Sequence, residues 1–129
     1  SNYEETGHGA ASNLPDDINE LLVVDMAAVG EGQASDERSA SICVKDSSGP
    51  YHHGLSQRLR KLAADYQLTT RWDIYNYYGS DGSSYWRAGG DAAVALIGPG
   101  IDASHSYERT HLDSLAATTQ WILAYLLNE

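Results

Sequence analysis

Two adjacent carboxylates, Glu4 and Glu5, run directly into the glycine-bearing turn Thr6-Gly7-His8-Gly9-Ala10. On a strand their side chains would point to opposite faces. The glycines let the chain turn there, because glycine takes positive φ without steric cost. Paired carboxylates at the carboxyl end of a strand, before a helix start, sit where α/β proteins place ligands. In a hydrolase one of them can bind a metal ion while the other moves protons. Two further groups match that chemistry: Asp25, which closes the apolar run Leu21-Leu22-Val23-Val24, and His105, soon after Gly98-Pro99-Gly100. Carboxylates and an imidazole make a plausible ligand set for Zn²⁺ or a related divalent cation. Their spacing is not that of a contiguous motif such as H-E-x-x-H. A solvated acidic turn, a capping Asp25 and a surface His105 therefore stay open at this point.

The elements that must position these residues alternate in type. Ser1 to Tyr3 reads as the end of a strand, and Gly7 to Leu14 as one short helix stopped by Pro15-Asp16-Asp17. Leu21 to Asp25 reads as a strand buried on both faces, and Ala27 to Arg38 as a loop. Ser39 to Lys45 is a second strand, followed by the turn Asp46-Ser47-Ser48-Gly49-Pro50. Leu55, Leu59, Leu62, Ala63 and Tyr66 predict an amphipathic helix over Gly54 to Tyr66, with Arg58, Arg60 and Lys61 on its solvated face. Arg71 to Tyr75 is a short strand with Trp72, Ile74 and Tyr77 as bulky positions. A short helix then ends at Ala88, and Ala92 to Ile97 is a buried strand ended by Gly98-Pro99-Gly100. The last helix spans Thr110 to Leu127, with Leu112, Leu115, Ala116, Thr119, Ile122, Leu123 and Leu126 as its predicted buried stripe. Thr110 and Asp113 are placed as its capping box. The class is α/β: a three-layer αβα arrangement with a largely parallel sheet flanked by helices. In such a sheet the strand ends share one edge, so Glu4, Glu5, Asp25 and His105 can converge.

Composition narrows the partners. The 129 residues suit one domain, and 42% hydrophobic content supports a packed core. Eighteen acidic against eight basic residues give a net charge of −10, which argues against nucleic acid or an anionic membrane. No apolar run approaches the roughly 20 residues needed to span a bilayer. The first residues carry no basic n-region or signal-like apolar segment. Cys43 is the single cysteine, so no internal disulfide forms, and a reducing, cytoplasmic location is expected. The Gly-Ser segment over residues 79–84 lacks both a Walker lysine and a G-x-G-x-x-G pattern, which makes it a poor phosphate loop.

Four ordered segments are more specific. Tyr3-Glu4-Glu5-Thr6-Gly7, Val23-Val24-Asp25, Gly79-Ser80-Asp81 and His105-Ser106 resemble, in order and approximate spacing, the signatures of the glutamyl or tetrahedral aminopeptidases. These are cocatalytic two-metal enzymes, some of which carry endoglucanase names. Asp46 to Pro50 and Asp102 to His111 resemble a bacterial branch of peptidases associated with osmoprotectant dipeptide synthesis. The resemblance covers essentially the whole chain.

It implies that Glu4 is the general base, that Glu5 and His105 ligate one metal ion, and that Asp25 ligates a second. Asp81 becomes a cap or supporting group, and Glu108 a candidate to hold the His105 loop. His8, His52, His53 and His111 match no ligand position. The resemblance further implies two divalent ions, zinc or cobalt, in the parent enzyme, and none or one in this chain. Peptide substrates and a homo-oligomer are the implied partners. The family's upstream His-x-Asp motif, its bridging aspartate and its inserted β domain have no counterpart here. Residues 1–129 therefore resemble the C-terminal half of a metallo-aminopeptidase catalytic domain, in isolation inactive or weakly metal-binding and with an exposed apolar sheet edge. An amidohydrolase or deacylase acting on a small N-acyl compound, and a non-catalytic binding domain, are the alternative readings.

Overall fold

The computed structural model describes residues 4–12 and 14–128. The strand expected over Ser1 to Tyr3 lies outside them. Two short 3-10 turns, Glu4–Thr6 and Gly9–Ala11, replace the single helix expected after Gly7. The strands are β1 (Glu20–Val24), β2 (Ala27–Ala28), β3 (Ala40–Asp46), β4 (Gly49–Pro50), β5 (Thr70–Ile74) and β6 (Ala93–Ile101). The helices are α1 (His53–Asp65), α2 (Asp81–Arg87) and α3 (Leu112–Leu127).

The sheet runs β1-β6-β3-β4, with β2 also on β6 and β5 also on β3. β1 and β6 are parallel, with Val24 opposite Ile97, and β3 and β5 are parallel. The two pairs meet antiparallel along β3 and β6, where Ala40 faces Pro99. A parallel neighbour needs a crossover back to the starting edge, usually through a helix. The segment between β2 and β3 has none, so β3 begins at the edge where β1 ends and runs the opposite way. The helix-bearing segment after β3 supplies the crossover that makes β5 parallel to it.

Side chains alternate across the central strands into two cores. Ala40, Ile42, Ala95 and Ile97 pack with Leu55, Leu59 and Ala63 of α1 and Ala117 and Trp121 of α3. Val94, Leu96, Cys43 and Val23 face the other way, with Tyr51, Tyr75 and the partly buried Tyr85 and Trp86 of α2. Three layers result, as the alternation of elements predicts. Trp121 is fully buried, and its Nε1 donates to the Leu59 carbonyl at 2.9 Å, joining α3 to α1.

Three local expectations are corrected. β6 does not stop at Gly98 but continues through Pro99 to Ile101, because its glycines give neighbouring backbone room. A Cβ at Gly98 would lie 1.4 Å from the Asp25 carbonyl oxygen, and one at Gly100 would lie 1.9 Å from that of Asp36. Helix α3 buries Ser114, Ala117, Thr118, Trp121 and Ala124 rather than the leucine stripe. The predicted Leu112, Leu115, Leu123 and Leu126 are exposed. Small residues let the helix approach β6 closely enough for Ser114 Oγ to donate to the Ser39 carbonyl and accept from Gly100 N–H, both at 2.8 Å. The α3 cap is His111, whose Nδ1 accepts from Asp113 N–H at 3.1 Å, while Thr110 Oγ1 donates to the Gly100 carbonyl. His52 caps α1 in the same way, accepting from Leu55 N–H.

Candidate active site

The close approach at Gly98 is what aims Asp25. Its N–H donates to the Ile97 carbonyl at 3.0 Å, so the residue leaves β1 still tied to β6. Its Oδ1 accepts from Met26 N–H at 2.6 Å, which orients the carboxylate at the strand end. After β6 the chain makes an excursion closed by a mutual backbone pairing of Asp102 and Arg109 at 2.8 and 3.1 Å. His105 sits in that excursion at φ 63°, in the left-handed region that non-glycine residues seldom occupy. The Glu108 carboxylate accepts from the His105 N–H at 3.0 Å and holds that conformation. Arg109 anchors the base of the loop through Glu37 and Asp102.

Glu4 and Glu5 are brought in by α2. Ser80 caps this helix, and Ser83 completes the box from within it. Asp81 Oδ1 accepts from Ala10 N–H at 3.1 Å, and Ser84 Oγ donates to the Gly7 carbonyl at 3.0 Å. Gly7 N–H in turn donates to the Glu4 carbonyl at 2.8 Å. The turn carrying both carboxylates thus hangs on the first two turns of α2. Asp81 serves as a supporting group, and the glycine at position 7 is required because φ there is 72°.

Glu4, Glu5, Asp25 and His105 line one cleft of about 780 Å³, walled by Val24, Met26, Tyr75 to Gly79 and Glu108. Glu5 Oε2 and His105 Nδ1 are 3.7 Å apart, and both side chains are about three-quarters exposed. Two donors at about 2.0–2.1 Å from a shared tetrahedral ion stand about 3.3–3.4 Å apart, so this pair fits a cation in type and separation. Among the described residues no third histidine, cysteine or acid joins them into a metal-holding group. Desolvation, followed by the charges of Asp25, Glu5 and Asp81, raises the Glu4 carboxyl above its ordinary range, against a smaller opposing effect of His105. A carboxylate whose proton affinity is raised inside a cleft has the character of a proton carrier. His8, His52, His53 and His111 do not line this cleft.

Part of the wall carries no signal in the residue pattern. At the end of β5 and just beyond it the inward positions are Asp73 and Tyr75, not the bulky Ile74, which is exposed like Tyr77. Ser35 donates from N–H and Oγ to Asp73 Oδ2 at 2.8 and 2.7 Å, and the Tyr75 hydroxyl lies 2.6 Å from the same Oγ. Burial first, and then the neighbouring Asp25 carboxylate, push the Tyr78 phenol far up, and its buried hydroxyl has no hydrogen-bond partner among the described residues. The alternation of Asp73 and Tyr75 is visible in the sequence once β5 is known to be half-buried.

The model of the M42 glutamyl aminopeptidases matches residues 1–121. The chain belongs to the M42 glutamyl aminopeptidase family. It is 52% identical over 126 residues to YhfE of Bacillus subtilis (strain 168), a protein provisionally named an aminopeptidase. That match takes in 98% of this chain and 36% of the relative. Among solved structures, the Pyrococcus horikoshii TET1 peptidase superposes with a TM-score of 0.76 at 18% identity, over 86% of this chain and 34% of that one. A TET aminopeptidase from a marine-sediment Thaumarchaeota archaeon gives 0.77 at 13% identity, over 87% and 34%. These superpositions share the fold of this M42 chain, which spans about a third of the length of the relatives it matches.

Proposed function

We propose that the protein containing this chain is a divalent-metal-dependent aminopeptidase, and that residues 1–129 are the C-terminal half of its catalytic domain. Family membership supports the activity, and the partial span of the relatives supports the division. Glu4 carries the reading: it combines raised proton affinity with a place in the same cleft as Asp25, Glu5 and His105. Glu5 and His105 would hold one ion and Asp25 a second, with zinc or cobalt suited to the donor set. Two ions belong to the complete enzyme, and none or one to this chain alone. Such ions supply a Lewis acid at the scissile carbonyl and a lowered pKa for the attacking water. Glu4 takes a proton from that water and returns it to the departing amine. The acidic cleft holds the free α-amine of the peptide.

Assembly and location extend the proposal. A homo-oligomer is supported by the Pyrococcus TET1 peptidase, which assembles into a tetrahedron or a large octahedral shell. A net charge of −10 disfavours nucleic acid and anionic membranes as partners. Among the described residues no helix is long and apolar enough to cross a membrane. Cytoplasmic location is supported by the lone Cys43, which is buried and whose thiol is pushed up to about 12, chiefly by desolvation.

The test is hydrolysis of an aminoacyl-p-nitroanilide panel by this chain and by the full-length gene product, with and without added Zn²⁺ or Co²⁺. Metal-dependent turnover by the full-length product, reduced by about 10²–10⁴-fold in Glu4→Gln, is the expected result. Turnover of N-acyl compounds with free-amine peptides untouched would replace the reading with a deacylase. An undiminished Glu4→Gln would remove Glu4 from the chemistry.

A further inference from the structure

Asp46 is a carboxylate at 1% exposure that does not line the cleft, and among the described residues no cation pairs with its side chain. A buried charge of this kind is costly unless its oxygens are fully hydrogen-bonded. Its Oδ1 accepts from Ser48 N–H at 2.7 Å, and its Oδ2 accepts from the Tyr51 hydroxyl at 2.8 Å. That same hydroxyl lies 2.6 Å from Ser80 Oγ. Tyr51 has one proton and gives it to Asp46, so Ser80 must donate to Tyr51. The lone pairs of Ser80 Oγ are thereby left for the Gly82 N–H, 3.1 Å away at the start of α2. Asp46, Tyr51, Ser80 and Gly82 are all buried. The bonds therefore run in one direction, from the α2 backbone through Ser80 and Tyr51 to a charge, an arrangement in which each bond polarises the next.

The far end of α2's first turns holds the catalytic segment, through Asp81 to Ala10 N–H and through Ser84 to the Gly7 carbonyl. We propose that Asp46 and Tyr51 are positioning residues for Glu4 and Glu5. They act through Ser80 and α2 and touch neither substrate nor metal. The buried charge fixes the orientation of the Ser80 cap, the cap fixes the first turn of α2, and that turn fixes the height of the Glu4–Glu5 turn over Asp25 and His105. This inference rests on the reading of Glu4 as the proton carrier.

The experiment compares Tyr51→Phe with wild type and Glu4→Gln in the full-length gene product, at a temperature well below unfolding. Tyr51→Phe keeps the ring and deletes the chain of bonds. Its kcat is expected to fall about tenfold with KM within about twofold, as for loss of an orienting interaction. In hydrogen exchange the Ala10 amide should lose protection while the Ala95 amide in the core keeps it. Asp46→Asn, which retains one acceptor, should move both readouts in the same direction and stands in where Tyr51→Phe fails to fold. Wild-type kcat and wild-type Ala10 protection in these variants, beside an inactive Glu4→Gln, would overturn the inference alone. Full activity in Glu4→Gln would overturn it together with the reading on which it rests.

Discussion

Glu4 and Glu5 are neighbours in sequence and differ in surroundings. Glu5 is exposed and faces His105, whereas Glu4 is half-buried among Asp25, Glu5 and Asp81. The raised Glu4 carboxyl has a consequence for stability. A pKa higher in the folded than in the unfolded state means that folding disfavours the ionised form. The stabilising contribution is present when Glu4 is protonated and is lost as pH rises through its folded pKa. Replacing Glu4 by the uncharged Gln removes that loss. Glu4→Gln is therefore expected to gain stability relative to wild type at about pH 8, with the gain shrinking as pH falls through the folded pKa of the wild-type carboxyl. Urea midpoints of both proteins across this range measure it. A difference independent of pH would mean that the native state does not penalise the Glu4 charge. Together with a loss of turnover, the predicted pattern would show that activity and stability pull on this residue in opposite directions.

Among the elements, β6 and its glycines set the site. Gly98 lets the β1 end lie against β6, and a methyl group there would overlap the Asp25 carbonyl oxygen, which is backbone and cannot swing aside. Gly98→Ala is expected to destabilise by more than about 4 kcal/mol, beyond the usual range for point mutations. Its measure is the urea or thermal midpoint, and a near-wild-type value would show that β1 can shift without harm. Much of this layer was legible in the residue pattern. The apolar run before Asp25, the alternation of Ile42 with Cys43, and the Leu55-Leu59-Leu62 spacing each led to the right element. Asp25 and His105 reach the same cleft from beyond the ends of β1 and β6, whereas the Glu4–Glu5 pair is brought there by a turn held on α2, which strand-end reasoning does not supply. The continuation of β6 through Gly98-Pro99-Gly100 was not legible, since the same residues usually mark a turn and only the packed carbonyls of Asp25 and Asp36 explain them. The histidine caps were missed because His52 and His111 are not among the residue types that ordinarily accept at helix starts. The α3 face was misjudged because the helix offers two apolar stripes, and the pattern alone cannot say which one packs.

At the scale of the whole molecule, that second stripe remains on the outside. Leu112, Leu115, Leu123 and Leu126 recur at helical spacing on the exposed side of α3, with Leu112 at 78% and Leu126 at 63% exposure. Contiguous exposed leucines of this kind favour association, because covering them removes apolar area from water. The net charge of −10 opposes it, since each copy repels the next. Salt screens the repulsion over a Debye length that shrinks from about 10 Å at 0.1 M to about 3 Å at 1 M and leaves the apolar term in place. The isolated chain is therefore expected to self-associate more strongly as salt is raised, the reverse of an assembly held by ion pairs. Sedimentation velocity in low and high salt measures this, with Leu123→Glu/Leu126→Glu as the variant that should remain monomeric under both conditions. These side chains lie outside the packed face of α3, so the variant should unfold at nearly the wild-type temperature. A wild-type chain that stays monomeric at high salt would show that the leucine face is too small or too interrupted to hold two copies. Association that weakens with salt would place the contact on charged surface instead.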